Sequence, residues 1–259
     1  MKKNLVLAAK VVGALVGVCV LVVAGLLGYA FAGNPTPPVR ADIGPGVTLV
    51  KDGYVCVFVL DAGPGQVALV DAGNDPKGAA ILAELARRHL GPDAVRAIFL
   101  THGHPDHTNG APLFPRAQVM ALAAEVAVVE GRERTRGPLP QLLPAKDVGV
   151  RISHPLQDGE QVQLGTLLVK VYALPGHTQG SAAYLANGVL FTGDGADATK
   201  DGKLVPAKWL FSDSVDQDVA SLKSLAGRLA AEDVKVIAAA HTGILTRGLA
   251  PLTELAAAR

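Results

Sequence analysis

Apolar residues fall along the chain in two distinct patterns. The first is a single unbroken run, VVGALVGVCVLVVAGLLGYAFA, at residues 11–32, with no charge inside it. As a helix such a run covers about 30 Å, the thickness of a bilayer's hydrocarbon core. Lys2, Lys3 and Lys10 lie on its amino-terminal side, which predicts an N-in membrane anchor with the rest of the chain exported. The alternative is a cleaved signal peptide, with Ala30-Phe31-Ala32 as the small-x-small site and a secreted product. The run is longer than a usual signal core, which favours the anchor. Residues 33–45 are rich in Pro and Gly and read as a stiff linker.

The second pattern, across 46–259, is a series of short β-type runs broken by turn residues and interleaved with helical periods. VTLV, YVCVFVL and QVALV are separated by Asp52-Gly53 and Gly63-Pro64-Gly65. KGAAILAELARRHLG has helical spacing and stops at Gly91-Pro92, and VRAIFL is the next strand. A second β-rich block holds QVQLG, LLVKVYALP, SAAYLANG and VLFTGD. The amphipathic helix DSVDQDVASLKSLAGRLAAED, the buried strand VKVIAAAH and a short final helix complete it. Two β-rich blocks closed by helices predict two packed sheets with helices outside, one α/β domain.

Composition narrows the class further. Of 259 residues 49% are hydrophobic and 18% charged, enough for a large core. The net charge of +1, with no long Lys/Arg block, argues against a nucleic-acid surface. Cys19 and Cys56 lie in different segments and are not expected to pair, so the domain does not depend on disulfides.

Candidate chemistry concentrates in THGHPDHTNG, residues 101–110. Three of the chain's 7 histidines and an aspartate fall there, directly behind a strand. Crowded imidazoles repel when protonated and cost desolvation when neutral, unless a cation shares them. His102 and His104, two apart, can converge on one ion; Asp106 and His107 follow across a turn and reach a neighbouring point. Three more strand ends carry candidate ligands, His177 in LPGHTQGS, Asp194 in VLFTGDG and His241 in AAAHTG. This set suits zinc, with iron or manganese as alternatives.

In order, Asp71 in LVDAG, the HGHPDH cluster, His177, Asp194 and His241 resemble the five motifs of the metallo-β-lactamase-fold superfamily, over about residues 46–250. The resemblance implies an αββα four-layer sandwich with the site at one edge of the sheets. It implies that His102, His104 and His177 hold one divalent ion, that Asp106, His107 and His241 hold another, and that Asp194 bridges them. Asp71 matches the superfamily's first aspartate and is expected to orient the ligand loop. The implied activity is hydrolysis: a hydroxide shared by two ions attacks an ester, thioester, lactone or amide carbonyl, with Asp106 orienting it or moving a proton. An aspartate at 194 looks more like the glyoxalase II and lactonase branch than like the β-lactamases. Few residues follow His241, so glyoxalase II's helical glutathione-binding extension is not expected. A mononuclear iron oxidoreductase of the persulfide dioxygenase type and a β-lactamase are the alternatives.

A small-molecule substrate is expected, under loops. GRERTRGPLPQLLPAKD, 131–147, reads as a solvated surface insertion whose Arg132, Arg134 and Arg136 offer a less favoured role in attracting an anion. Trp209 and Phe211 are candidates for an apolar pocket wall, with core packing an equal alternative. His89 and His154 are read as ordinary surface residues.

Overall fold

The structure is a computed structural model. It describes the backbone of residues 2–31 and 33–258, and side chains at 10–18, 20–26, 28 and 33–258. The chain forms two units, 1–34 and 35–259. The first is helix α1 (Lys2–Phe31). Among the described residues no helix is long and apolar enough to cross a membrane. The expected anchor, 11–32, includes Cys19, Leu27 and 29–32, whose side chains lie outside the described residues, as do therefore the side chains of the signal-peptide site Ala30-Phe31-Ala32.

The second unit is built on two sheets. The first has strands β1 (Arg40–Gly44), β2 (Val47–Asp52), β3 (Val55–Gly63), β4 (Gln66–Val70), β5 (Val95–Phe99), β6 (Gln118–Leu122) and β7 (His154–Leu156), in that spatial order. β1 to β4 form an antiparallel meander, and β4 to β7 pair in parallel. The second sheet uses β8 (Gln161–Leu164), β9 (Leu167–Ala173), β10 (Ala182–Ala186), β11 (Val189–Gly193), β14 (Val236–Ala239) and β15 (Gly243–Leu245). β12 (Ala196–Ala198) and β13 (Leu204–Pro206) make a separate ribbon. The domain starts earlier than the sequence suggests. β1 lies inside the expected linker 33–45, because Ile43 enters the core and Arg40 pairs with the buried Glu84.

Strand side chains explain the layering. In β3, Cys56, Phe58 and Leu60 point into a core shared with Val169, Val171, Tyr184 and Phe191 of the other sheet. Val57 and Val59 point the other way, onto Ile81 and Leu85 of α2 (Ala79–Arg87). The second sheet turns Ala183, Leu185 and Leu190 outward, onto Leu222 and Leu225 of α5 (Val215–Arg228) and Leu252 of α6 (Ala250–Ala257). Helix, sheet, sheet and helix therefore stack in the expected αββα order. Strands buried on both faces read as continuous apolar runs rather than as alternations. Two single-turn helices, α3 (Pro105–Thr108) and α4 (Val126–Val129), belong to the connections around the site.

Candidate metal centre

The candidate residues all lie just beyond the carboxyl ends of strands: Asp71 after β4, His102 to His107 after β5, His177 after β9, Asp194 after β11 and His241 after β14. Rigid strands inside a packed core fix these ends, and the connecting turns gather the side chains at one place. The structure brings all eight together.

Three ring nitrogens form a tight triangle. His102 Nε2 is 3.0 Å from His104 Nδ1, and His177 Nε2 is 3.2 Å from the first and 3.1 Å from the second. Their protons are directed elsewhere. Thr101 Oγ1 donates to Asp71 and Ser212 Oγ donates to the Lys208 carbonyl. Those hydroxyl oxygens are left to accept from His102 Nδ1 at 3.1 Å and His177 Nδ1 at 3.1 Å. Thr135 Oγ1 meets His104 Nε2 at 3.0 Å. The facing nitrogens of His102 and His177 thus carry lone pairs. Burial pushes His102 and His177 well below the ordinary histidine range and lowers His104, so all three are neutral, the form a cation needs.

A second group overlaps the first. His107 Nδ1 donates to Asp71 Oδ2 at 2.8 Å, which leaves its buried Nε2 without a hydrogen-bond partner. His241 Nδ1 donates to the Tyr54 carbonyl at 2.9 Å, leaving its Nε2 turned inward. Asp106 Oδ2 lies 3.7 Å from His107 Nε2 and 3.5 Å from His241 Nε2. Asp194 joins the groups: Oδ1 is 3.3 Å from His107 Nε2, while Oδ2 is 3.1 Å from His241 Nε2 and 3.7 Å from His177 Nε2. Its Oδ1 is buried with no hydrogen bond. Burial opposes charge on His107, but Asp71, Asp194 and Asp106 outweigh it and raise the pKa well above normal. His241 follows the same balance, with Asp194 the main opponent of burial, and rises to about 9. Burial also opposes charge on Asp194, yet His241 and His107 draw its pKa well below the usual carboxylate range. This end of the cluster favours added positive charge.

Three overlapping sets can each hold a cation: His102, His104 and His177; His102, His107 and Asp194; and Asp106, His107 and His241. Inward lone pairs, orphaned buried acceptors and a mixed imidazole–carboxylate set fit divalent metals such as zinc. Asp71 stands behind them. It is fully buried, with φ at 59°, and takes hydrogen bonds from Thr101 N, Thr101 Oγ1 and His107 Nδ1.

Two expectations change. The insertion 131–147 is not simply a solvated loop: its Thr135 is buried on His104, and Gly137 packs against Phe211 and Ser212. Arg136 N donates to Asp213 at 2.5 Å, pinning the insertion beside the site. Trp209 is 61% exposed, which removes the core-packing alternative, and Phe211 is half-buried. Four contributors escaped sequence reasoning. Tyr54 stacks on His241, with centroids 5.7 Å apart. Ser212 fixes the His177 tautomer, Thr135 holds His104 Nε2 in a hydrogen bond, and nothing in their surroundings marks them. Glu125 is fully buried, its carboxyl pushed up to about 7 by burial against hydrogen bonds that lower it. A lone acid in the apolar stretch ALAAEVAVV was the available signal.

Comparison with known proteins agrees with this geometry. Hydroxyacylglutathione hydrolase of Vibrio cholerae serotype O1 is 30% identical over 174 residues, 67% of this chain and 56% of the relative. The Anaeromyxobacter dehalogenans hydroxyacylglutathione hydrolase is 38% identical over 144 residues, 56% of this chain and 46% of its own length. The chain thus spans about half the length of these relatives. Among solved structures, a B3 metallo-β-lactamase with an active-site glutamic acid superposes with a TM-score of 0.66 at 19% identity. The match covers 87% of this chain and 89% of that one. The metallo-β-lactamase SMB-1, solved with 2-mercaptoethanesulfonate, gives a TM-score of 0.61 at 25% identity, covering 80% and 81%. The family model of the metallo-β-lactamase superfamily matches residues 50–241, from β2 to His241 itself, and the chain belongs to that superfamily.

Proposed function

We propose that the domain is a binuclear metal-dependent hydrolase acting on a thioester, ester or lactone carbonyl. The observation that carries this reading is the convergence of five inward-facing imidazole nitrogens on two carboxylates, with Asp194 within 3.7 Å of His177, His107 and His241. His102, His104 and His177 would hold one divalent ion, Asp106, His107 and His241 a second, and Asp194 would reach both. Zinc is the first choice, with manganese and iron next. Two such ions supply Lewis acidity and bring the pKa of bound water down to about 7. Asp106, whose Oδ2 faces His241 Nε2 and would hold the second ion, would orient the attacking water or move a proton through its other carboxylate oxygen. Trp209 and Phe211 stand beside Ser212, the partner of His177, and form an apolar wall for the acyl group. The relatives' activity toward hydroxyacylglutathione puts thioesters first among substrates.

The charge-free run 11–32, led by lysines, supports a further reading: the helix tethers the domain at the exported face of the cytoplasmic membrane. A high-salt wash should then leave the full chain on membranes.

The test of function is a panel of S-acylglutathiones, lactones, aryl esters and β-lactams, run with zinc, manganese and iron. Chelator-sensitive thioester, ester or lactone hydrolysis is expected. Oxygen uptake with one iron per chain, and no hydrolysis, would replace the proposal with an oxidoreductase.

A further inference from the structure

One buried carboxylate touches no candidate ligand and yet sits between the loops that deliver all three residues of the first group. Glu125 follows β6 and is fully buried. Its Oε1 accepts from Gly103 N at 2.8 Å, the residue between His102 and His104. Its Oε2 accepts from Gly180 N at 2.9 Å and Thr178 Oγ1 at 2.9 Å, in the turn that follows His177. The approach is close enough to dictate residue type. A Cβ on Gly180 would stand 2.4 Å from Glu125 N and 2.5 Å from Oε2, and one on Gly103 would stand 2.7 Å from Val128. Both loops lie flush against the turn that carries Glu125 because glycine is there.

From this geometry we infer that Glu125 is a positioning residue for the first metal group, fastening the His102–His104 loop to the His177 turn so that three imidazoles meet at one point. The inference rests on the metal-binding reading above. Asp71 does the matching work for His107 and, through Thr101, for His102. The two buried acids thus divide the cluster: Asp71 reaches side chains on both sides, and Glu125 sets the loops under His102, His104 and His177 through two backbone amides and Thr178 Oγ1. Nothing ties Glu125 to Asp106, His107 or His241 directly, so its loss should be felt at one group and not the other.

The discriminating variant is Glu125→Gln. An amide keeps one oxygen for Gly180 N and Thr178 Oγ1 and turns its NH2 toward Gly103 N, so one buried donor faces another. The measurement is zinc binding by the full-length protein, followed by competition with a chromophoric chelator. His104→Ala and His241→Ala serve as references for loss of the first and the second group. Wild type should bind zinc in two steps. Glu125→Gln should weaken the step that His104→Ala removes by about 10- to 100-fold, the range for groups that orient metal ligands, and leave the step that His241→Ala removes within about threefold. Unfolding of the metal-stripped variant checks that the domain is intact; if it is not, Thr178→Val takes its place with the same expected selectivity. Two unweakened steps in the variant, or equal weakening of both, would overturn the inference. A wild type that binds no zinc would instead overturn the function proposed above, so the two failures are distinct.

Discussion

Replacing Asp71 by Asn isolates the contribution of a buried carboxylate that never needs to touch a metal. The choice of Asn matters. Asp71 has φ at 59°, a left-handed conformation that Asn tolerates and Ala does not, so the backbone is left alone. What changes is one acceptor. If the new NH2 faces His107, it opposes the Nδ1 proton held 2.8 Å away and favours the tautomer that places hydrogen on Nε2, the atom aimed at Asp194 and Asp106. If it faces the other way, it opposes Thr101 N, held at 2.8 Å, and loosens the strand end that carries His102. The first orientation spends the His107 nitrogen that a cation needs and the second leaves a buried donor without an acceptor, a cost of about 1–3 kcal/mol. That is about 5- to 150-fold in an affinity constant and brackets the loss of about 10- to 100-fold seen for such partners of metal ligands. Chelator competition with zinc at constant pH reads it directly. A variant that folds, binds two zinc ions and does so within twofold of wild type would refute the reasoning that Asp71 sets the imidazoles.

Three other predictions rest on separate observations. Asp218 is buried, its Oδ1 has no hydrogen bond, and burial pushes its pKa from 3.8 to about 7. A carboxyl raised on folding contributes stability below its unfolded pKa and loses it as pH rises through the folded one, here about 4 kcal/mol between pH 4 and 7. Glu125 bends the curve the same way, so the test is the difference: denaturant unfolding of Asp218→Asn should show a flatter slope than wild type, and an unchanged slope would refute it. Thr135→Val should loosen His104 and weaken the first zinc step by about tenfold, about 1.4 kcal/mol, whereas a solvated insertion would predict no effect. Trp209→Ala should raise KM several-fold while moving Tm by less than about 2 °C, because the ring is largely exposed; a large Tm loss would mean that it packs instead.

The parts of the molecule legible in the sequence are those set by local spacing. His102 and His104 announce themselves because two imidazoles two residues apart behind an apolar strand have few structural uses. The layered order was readable because β3 and β11 are apolar on both faces, which requires something packed on each side. Single residues after distant strands, His177 and His241, gained meaning only as members of an ordered set. Partners that work through tertiary placement were not legible. Thr135 reaches His104 across 31 positions, and Ser212 reaches His177 across 35, with no local signature. The domain start was misplaced because the Pro and Gly around Arg40–Gly44 suggested a spacer, whereas Ile43 and Arg40 attach that stretch to the sheet.

Most direct for the central claim is metal content against turnover on one preparation: protein stripped with chelator, then titrated with zinc while carbonyl hydrolysis and bound metal are followed together. Activity should be absent when stripped, return as metal binds and level off at two zinc ions per chain. Full activity in metal-free protein, or saturation with His102→Ala/His241→Ala indistinguishable from wild type, would contradict the account.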